Sequence, residues 1–331
     1  MTTRRPDARK SSRLRIALLL LTALLPVLWP AAAGADAVPP ASLFPKPPYL
    51  EPNVEFWKRI YSDYGIGDFL LHDRENVLII YDVVRVSEAA NERRAVDLAR
   101  PEIQRLRAQY EDILMALAQG RPAEELGPEA QRLVEIWGCP CEPDLLLRAA
   151  GSIRVQQGQR EKWDAGVRRA RGLMPRIVSI LRRHNVPVEL AALPMVESTF
   201  NPAAHSKVGA AGLWQFIRST GRSYLTITRK RDDRHDPIRS TEAAARLLKH
   251  NYEALGSWPL AIVAYNHGKA GIRTAKEQLG SDAVEDIIAR YNGPRFGFAS
   301  RNFYPEFLAA LELLRPTIRE HAGQENSRKG L

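Results

Sequence analysis

Leu193-Pro194-Met195-Val196-Glu197-Ser198-Thr199-Phe200 decides how this chain reads, together with Ser206-Lys207-Val208-Gly209-Ala210-Ala211-Gly212-Leu213-Trp214-Gln215 in the following loop. An acid at the end of an apolar run is short of water. Burial disfavours the charged carboxylate, so Glu197 is placed to stay protonated near neutral pH. Protonating a glycosidic oxygen requires that state. The plainer reading of the segment alone is a surface glutamate at a helix end. Its company argues otherwise. Small residues from Gly209 to Gly212 let the backbone approach a ligand closely. Trp214 is suited to pack on a sugar face and Gln215 to hydrogen-bond an amide. Farther on, Ala264-Tyr265-Asn266 ends an apolar helix with two polar groups, where a core helix normally places none.

From Ser198 to Lys230 there is no Asp or Glu. The next acids are Asp232, Asp233 and Asp236, beside His235. Asp236-Pro237 reads as a turn or the start of a helix. A metal site of Asp232, Asp233, His235 and Asp236 is the sharper alternative, but residues this crowded rarely converge on one ion. No metal or cofactor is expected. A lone acid suits attack by a nucleophile already within the substrate, which needs little positioning.

Outward from this segment the pattern is mainly helical. Val96, Ala99, Ile103, Leu106, Tyr110, Ile113, Leu114 and Leu117 recur at helical spacing, and Pro101 is expected to kink or restart that helix. Helices are predicted at Pro128 to Trp137, Asp144 to Ala149, Arg160 to Arg171 and Pro175 to His184, with arginines on solvated faces. Pro187 starts a short helix running to Glu197. Ser240-Thr241-Glu242-Ala243 opens one that ends near Gly256, and Trp258 to Asn266 forms another. Asp282 is expected to cap a helix to about Tyr291, and Phe303 to Leu314 gives the last before Pro316. Phe69 to Val86, broken by Arg74 to Asn76, fits a small β-hairpin. There is no repeat of fixed period.

At the N-terminus, Arg4, Arg5, Arg9, Lys10, Arg13 and Arg15 precede an apolar run from Ile16 to Trp29. Small residues follow. Residues 1–35 thus read as a signal peptide, cleaved after Ala35 or Ala37, and the chain as exported to the periplasm. An uncleaved membrane anchor is the alternative. No Cys follows the run, which argues against a lipid anchor, and no second long apolar run occurs. Residues 36–52 are rich in proline and read as a linker. The formal net charge of +10 favours anionic surfaces outside the cytoplasm: wall polymers, carboxylated stem peptides, lipid headgroups. Peripheral wall or membrane association would follow. Export and the lack of any nucleic-acid motif exclude nucleic acid as partner. Cys139 and Cys141 are open between a strained local disulfide and two free thiols.

The Glu197-Ser198 pair, the Gly212-Leu213-Trp214-Gln215 block and Ala264-Tyr265-Asn266 resemble the soluble lytic transglycosylase family, lysozyme-like enzymes that cut bacterial peptidoglycan. The resemblance extends over about Val186 to Leu314. Trp214 and the following Phe216-Ile217-Arg218-Ser219-Thr220-Gly221-Arg222 look like a membrane-bound subgroup. The resemblance implies a lysozyme-like helical catalytic domain over 154–319. Before it comes a helical region (53–153) with one small β-hairpin, and after it a polar tail (320–331). Glu197 would protonate the oxygen between N-acetylmuramic acid and N-acetylglucosamine, then act as base while the muramyl 6-hydroxyl attacks, leaving a 1,6-anhydro end. Tyr265 would orient Glu197 and Ser198 support it, while Gln215 and Asn266 hold substrate groups. The partner implied is the peptidoglycan glycan strand. Two departures stand out. Phe303 occupies the position of a family tyrosine, so Tyr304 would have to supply that hydroxyl. No LysM repeat follows, so glycan attachment would rest on the groove and the basic surface. The rival readings are a hydrolase using Asp233 or Asp236 as second carboxylate, and a non-catalytic wall-binding or secretion-accessory protein.

Overall fold

The computed structural model describes residues 42–87, 91–138 and 142–328. The expected signal peptide and the Cys139/Cys141 pair lie outside the described residues. The described chain runs α1 (Glu51–Ser62), β1 (Asp68–Asp73), β2 (Ile80–Arg85), α2 (Glu92–Ala118), α3 (Ala123–Leu126), α4 (Pro128–Trp137), α5 (Pro143–Ala150), β3 (Ile153–Gln157) and α6 (Arg160–Arg183). It continues through α7 (Leu193–Ser198), α8 (Arg218–Gly221), α9 (Pro237–Leu255), α10 (Trp258–His267), α11 (Lys269–Leu279), α12 (Val284–Arg290) and α13 (Phe298–Arg328). The fold is mainly helical with a small antiparallel sheet. Among the described residues no helix is long and apolar enough to cross a membrane.

The expected hairpin forms, with Leu70 opposite Val83 and a bulge between Leu71 and His72. It is also extended. β3 pairs antiparallel with the other edge of β1, Leu71 opposite Val155, giving the order β2-β1-β3. Side chains alternate across a strand, so β1 serves two cores. Leu70 points into the larger one, and Phe69 and Leu71 into a smaller one shared with α2, α4 and α5. Helix α1 belongs with the larger core, through Val54, Phe56, Trp57 and Ile60. A boundary at 153/154 therefore falls inside β3.

The larger core is built around α10, whose residues from Trp258 to Ala264 are all buried. A helix apolar on every face has to be surrounded, and α9, α11 and α13 pack around it. Ser257 caps it by accepting from the Leu260 N–H. The helices predicted on either side of Pro175 are one helix, α6. Pro175 and Arg171 are both solvent-exposed, so the carbonyl that proline leaves without a donor faces water. The same reason carries α2 through Pro101 and α13 through exposed Pro316. Asp282 does not cap α12. That helix starts at Val284, Ser281 Oγ accepts from the Ala283 N–H at 3.2 Å, and Asp282 pairs with Lys276 at 3.0 Å.

Candidate active site

Glu197 stands in the last turn of α7, a helix of 6 residues. It is stopped by two successive residues in the left-handed region, Thr199 (φ 48°) and Phe200 (φ 56°). Neither is a glycine, so this turn stores backbone strain that its surroundings must hold. Arg169 of α6 does so, donating to the Thr199 carbonyl at 2.7 and 3.2 Å. Gly166, one helical turn earlier, lets α6 come this close. A Cβ there would lie 2.7 Å from Met195 Sδ and 3.0 Å from the Thr199 carbonyl oxygen.

The Gly212-Leu213-Trp214-Gln215 block is a tight turn gripped from four sides. Ser198 Oγ donates to the Leu213 carbonyl at 2.8 Å, tying the turn to the residue after Glu197. Tyr265 of α10 donates its hydroxyl to the Trp214 carbonyl at 2.7 Å. The Trp214 indole N–H donates to Thr241 Oγ1 of α9 at 2.9 Å. The fourth contact is Gly212 (φ 80°), where an added Cβ would meet the Arg234 carbonyl oxygen at 1.7 Å. The small residue expected to admit a ligand thus admits another stretch of this chain's backbone. The reward is the pose of Gln215, itself left-handed at φ 47°. Its Nε2 donates to the carbonyls of Gly212 at 2.8 Å and Ala204 at 3.3 Å. That fixes the amide and leaves Oε1 as a free acceptor.

Glu197, Gln215, Tyr265 and Asn266 come together on one cavity of about 500 Å³, a size ordinary for small-molecule sites. Ser206, Phe216, Thr220 and His267 complete much of its wall. Glu197 is enclosed on most sides and reaches solvent through this opening. Burial pushes its carboxyl up to about 8, with no cation beside it to offset the effect. Burial and then Glu197 push the Tyr265 phenol well above its ordinary range. The Tyr265 hydroxyl proton is committed to Trp214, so only its oxygen lone pairs remain for Glu197. Asn266 is exposed, and its Oδ1 accepts from Ser300 Oγ at 3.1 Å, leaving the amide N–H groups free. Burial, with Arg295 secondary, lowers the His267 imidazole, which favours its neutral form.

Two residues assigned to the substrate are elsewhere. Trp214 is completely buried, and its indole is packing that holds the turn. Tyr304 is likewise fully buried and donates to the Pro45 carbonyl at 2.8 Å, so it supplies no hydroxyl in place of Phe303. The acids weighed as metal ligands or second carboxylates are committed to arginines and a helix cap. Arg234 holds Asp232 at 2.7 Å and keeps its carboxyl down at about 2. Arg231 and Arg239 hold Asp233 at 2.7 and 3.0 Å. Asp236 caps α9, accepting from the Ile238 and Arg239 N–H groups. Among the described residues no group of three or more His, Cys, Asp or Glu is arranged to hold a metal.

Sequence reasoning missed four residues. Ser206, Thr220 and His267 line the cavity, and His267 carried a signal in following Asn266 directly. The fourth is Glu306 of α13, whose carboxyl is raised first by burial and then by Glu197. Its apolar neighbours made it look like one polar position on a packing helix.

An acid that burial keeps protonated on an open cleft is in the state that general-acid chemistry requires. Residues 177–288 match the family model of the Transglycosylase SLT domain. The matched span holds Glu197, the 212–215 turn and Ala264-Tyr265-Asn266, and ends before Phe303. Over 109 residues the chain is 43% identical to the membrane-bound lytic murein transglycosylase D of Escherichia coli strain K12, covering 32% of this chain and 24% of that protein. It is 34% identical over 82 residues to a transglycosylase of Enterobacteria phage PRD1, covering 25% and 29%. The chain therefore spans about a quarter of the length of these relatives. Among solved structures, the 70 kDa soluble lytic transglycosylase of Escherichia coli aligns with a TM-score of 0.37 at 16% identity, over 67% of this chain and 44% of that one.

Proposed function

We propose that this chain is a lytic transglycosylase that cleaves the β-1,4 bond between N-acetylmuramic acid and N-acetylglucosamine in peptidoglycan, with Glu197 as its single acid and base. One observation carries the reading: Glu197, its carboxyl pushed up to about 8 by burial, lines the cavity, and among the described residues no second carboxylate lines it. Its proton passes to the bridging oxygen as the bond from that oxygen to the muramyl anomeric carbon breaks. The resulting carboxylate takes the proton of the muramyl 6-hydroxyl as that oxygen bonds to the anomeric carbon. The proton returns to Glu197 and the product is a 1,6-anhydro end, with no water consumed. Gln215 Oε1 is placed to accept from an acetamido N–H, and the Asn266 amide to donate to a ring substituent.

The proposal includes export through the basic and apolar leader, periplasmic action on glycan strands, and a catalytic domain over about 154–319. A hydrolase would need a second free carboxylate, and its two candidates, Asp233 and Asp236, are held by arginines and a helix N-terminus. The test is mass spectrometry of muropeptides released from purified peptidoglycan, beside the Glu197→Gln variant. Products one water lighter than hydrolysis gives, lost in the variant, are the expected result. Reducing ends would make the chain a hydrolase. Full activity in the variant would refute the role of Glu197, and no products with either protein would favour a binding protein.

A further inference from the structure

The cavity wall at Asn266 is held from behind by a residue that does not line the cavity. Ser300 of α13 is buried, and a buried hydroxyl costs stability unless it is hydrogen-bonded. Its Oγ reaches two residues in the last turn of α10: Asn266 Oδ1 at 3.1 Å and His267 Nδ1 at 3.3 Å. Both of those residues line the cavity. Ser300 is fixed by its neighbours in sequence. Arg301 donates to the Tyr291 carbonyl at 2.8 Å, and Asn302 accepts from Trp57 Nε1 of α1 at 3.0 Å. The His267 ring is fixed as well. Phe296 meets it edge to face with ring centres 4.9 Å apart, and at Gly271 of α11 a Cβ would lie 2.6 Å from its Cδ2 and Nε2.

Three polar groups in a row leave few arrangements for their protons. A hydroxyl has one proton to give. Given to Asn266 Oδ1, it leaves the Ser300 oxygen to accept from His267, whose ring proton must then sit on Nδ1. Given to His267 instead, it would need the Asn266 amide turned round to donate, with Oδ1 facing the cavity. The contact between Ser300 and Oδ1 is the first arrangement. A neutral imidazole, the form burial favours here, carries a single proton, so the two arrangements exclude each other.

We propose that Ser300 is a positioning residue for the glycan-binding amide: a relay of donors from His267 Nδ1 through Ser300 holds Asn266 with its N–H groups toward the cavity. This rests on Asn266 contacting the glycan. Gln215 is held by the opposite means, its N–H groups spent on the Gly212 and Ala204 carbonyls. The cavity therefore offers substrate one fixed acceptor, Gln215 Oε1, and one fixed donor, Asn266 Nδ2. What the donor selects is an oxygen that only accepts, a carbonyl or ether oxygen of the glycan.

NMR of the full chain with nitrogen-15 in its histidine rings reports the direction of the relay, the His267 signals being identified by their loss in His267→Gln. At a pH where the ring is neutral, the proton is expected on Nδ1 in wild type. In Ser300→Ala it should move toward Nε2, the form free histidine prefers. KM for soluble glycan fragments should rise about fivefold in Ser300→Ala, the worth of one neutral hydrogen bond, with kcat changed by less. Ser300→Thr should restore both readings. In an Asn266→Ala background Ser300→Ala should leave KM where it is, since a group acting through the amide then has nothing to hold. If the alanine variant does not fold, Ser300→Cys, of similar volume but a weak donor, replaces it. A proton on Nε2 in wild type overturns the proposal by running the relay the other way. A ring proton that ignores Ser300→Ala overturns it too, as does a KM effect that persists without Asn266. A wild-type protein that releases no anhydro product sinks the functional reading separately, and the ring tautomer still decides the relay.

Discussion

Gly212 and Gly209 form a matched pair for testing how the 212–215 turn is held. Their φ values are 80° and 82°, so replacement by alanine costs each about 1–2 kcal/mol for placing a side chain in the left-handed region. Space separates them. A Cβ at Gly209 meets nothing within 4 Å, whereas one at Gly212 lies 1.7 Å from the Arg234 carbonyl oxygen and 2.6 Å from its carbon. Neither side can yield easily. Arg234 is anchored through its guanidinium to the carbonyls of Gly209 at 2.8 Å and Phe216 at 3.0 Å and to Asp232, and the turn is anchored by Ser198, Thr241 and Tyr265. Overpacking of this kind costs a further ~1–3 kcal/mol. Gly212→Ala should therefore be destabilised by about 2–5 kcal/mol, and Gly209→Ala by only the smaller backbone share. Urea unfolding of both variants measures the difference, and glycan release measures its consequence. Activity should fall in Gly212→Ala more than its folded fraction does, because Gln215 is hydrogen-bonded to the Gly212 carbonyl through its N–H at 3.2 Å. Equal midpoints for the two variants would refute the reasoning.

Glu197→Gln should abolish glycan release yet raise stability. The folded pKa of about 8 lies above the ordinary 4.5, so the folded state holds this proton more tightly than the unfolded state. Its stability falls as pH rises from 4.5 toward 8, and the variant escapes that fall. The gain is at most about 3 kcal/mol at pH 7 and vanishes near pH 4, read from unfolding curves at the two pH values. For the same reason wild-type activity should fall as pH rises through about 8, measured as an alkaline limb in kcat. Trp214→Phe removes the hydrogen bond to Thr241 and should cost about 1 kcal/mol while leaving KM for soluble glycan fragments unchanged; a large rise in KM would return the indole to the substrate. Arg234→Met leaves the Gly209 and Phe216 carbonyls and Asp232 without their donor and should cost about 3 kcal/mol or more in urea.

What the sequence yielded depended on whether one residue's chemistry or a residue's neighbours decided the outcome. Glu197 was legible because an acid closing an apolar run is unusual in itself. Helix α10 was legible because seven successive buried residues, from Trp258 to Ala264, leave no polar face. Helix α11 was not: it buries only Ile272 and Ala275, too sparse a stripe to stand out. Prolines misled for a physical reason. Pro175 and Pro316 lie on solvent-facing sides, where the lost hydrogen bond is exchanged for water. The third strand escaped because five residues carry little periodicity, and its partner lies about eighty positions upstream. Trp214 and Tyr304 were misread in the same way. An aromatic next to polar motif residues suits a sugar face equally well as packing, and only the contacts to Thr241 and Pro45 decide between them.

Charge is the remaining puzzle of the site, because the acids at 232 and 233 are each held by arginines whereas burial alone sets the state of Glu197. One guanidinium nitrogen within salt-bridge reach would hold Glu197 ionised and remove its proton. The nearby candidates are each satisfied by something else. Arg169, which stabilises the strained turn directly after Glu197, has its Nε and Nη2 taken by the Thr199 carbonyl. Arg234, beneath the 212–215 turn, is held by Asp232 and by two carbonyls of the loop. Asp232 and Asp233 are the sinks that hold Arg234, Arg231 and Arg239, Asp236 caps α9, and none of the three acids lines the cavity. Replacing Asp232 by Asn would free Arg234 to seek another acceptor. The alkaline limb of the reaction should then move to lower pH although residue 232 never touches the cavity; an unmoved limb would show that geometry alone, without these sinks, keeps the arginines off Glu197.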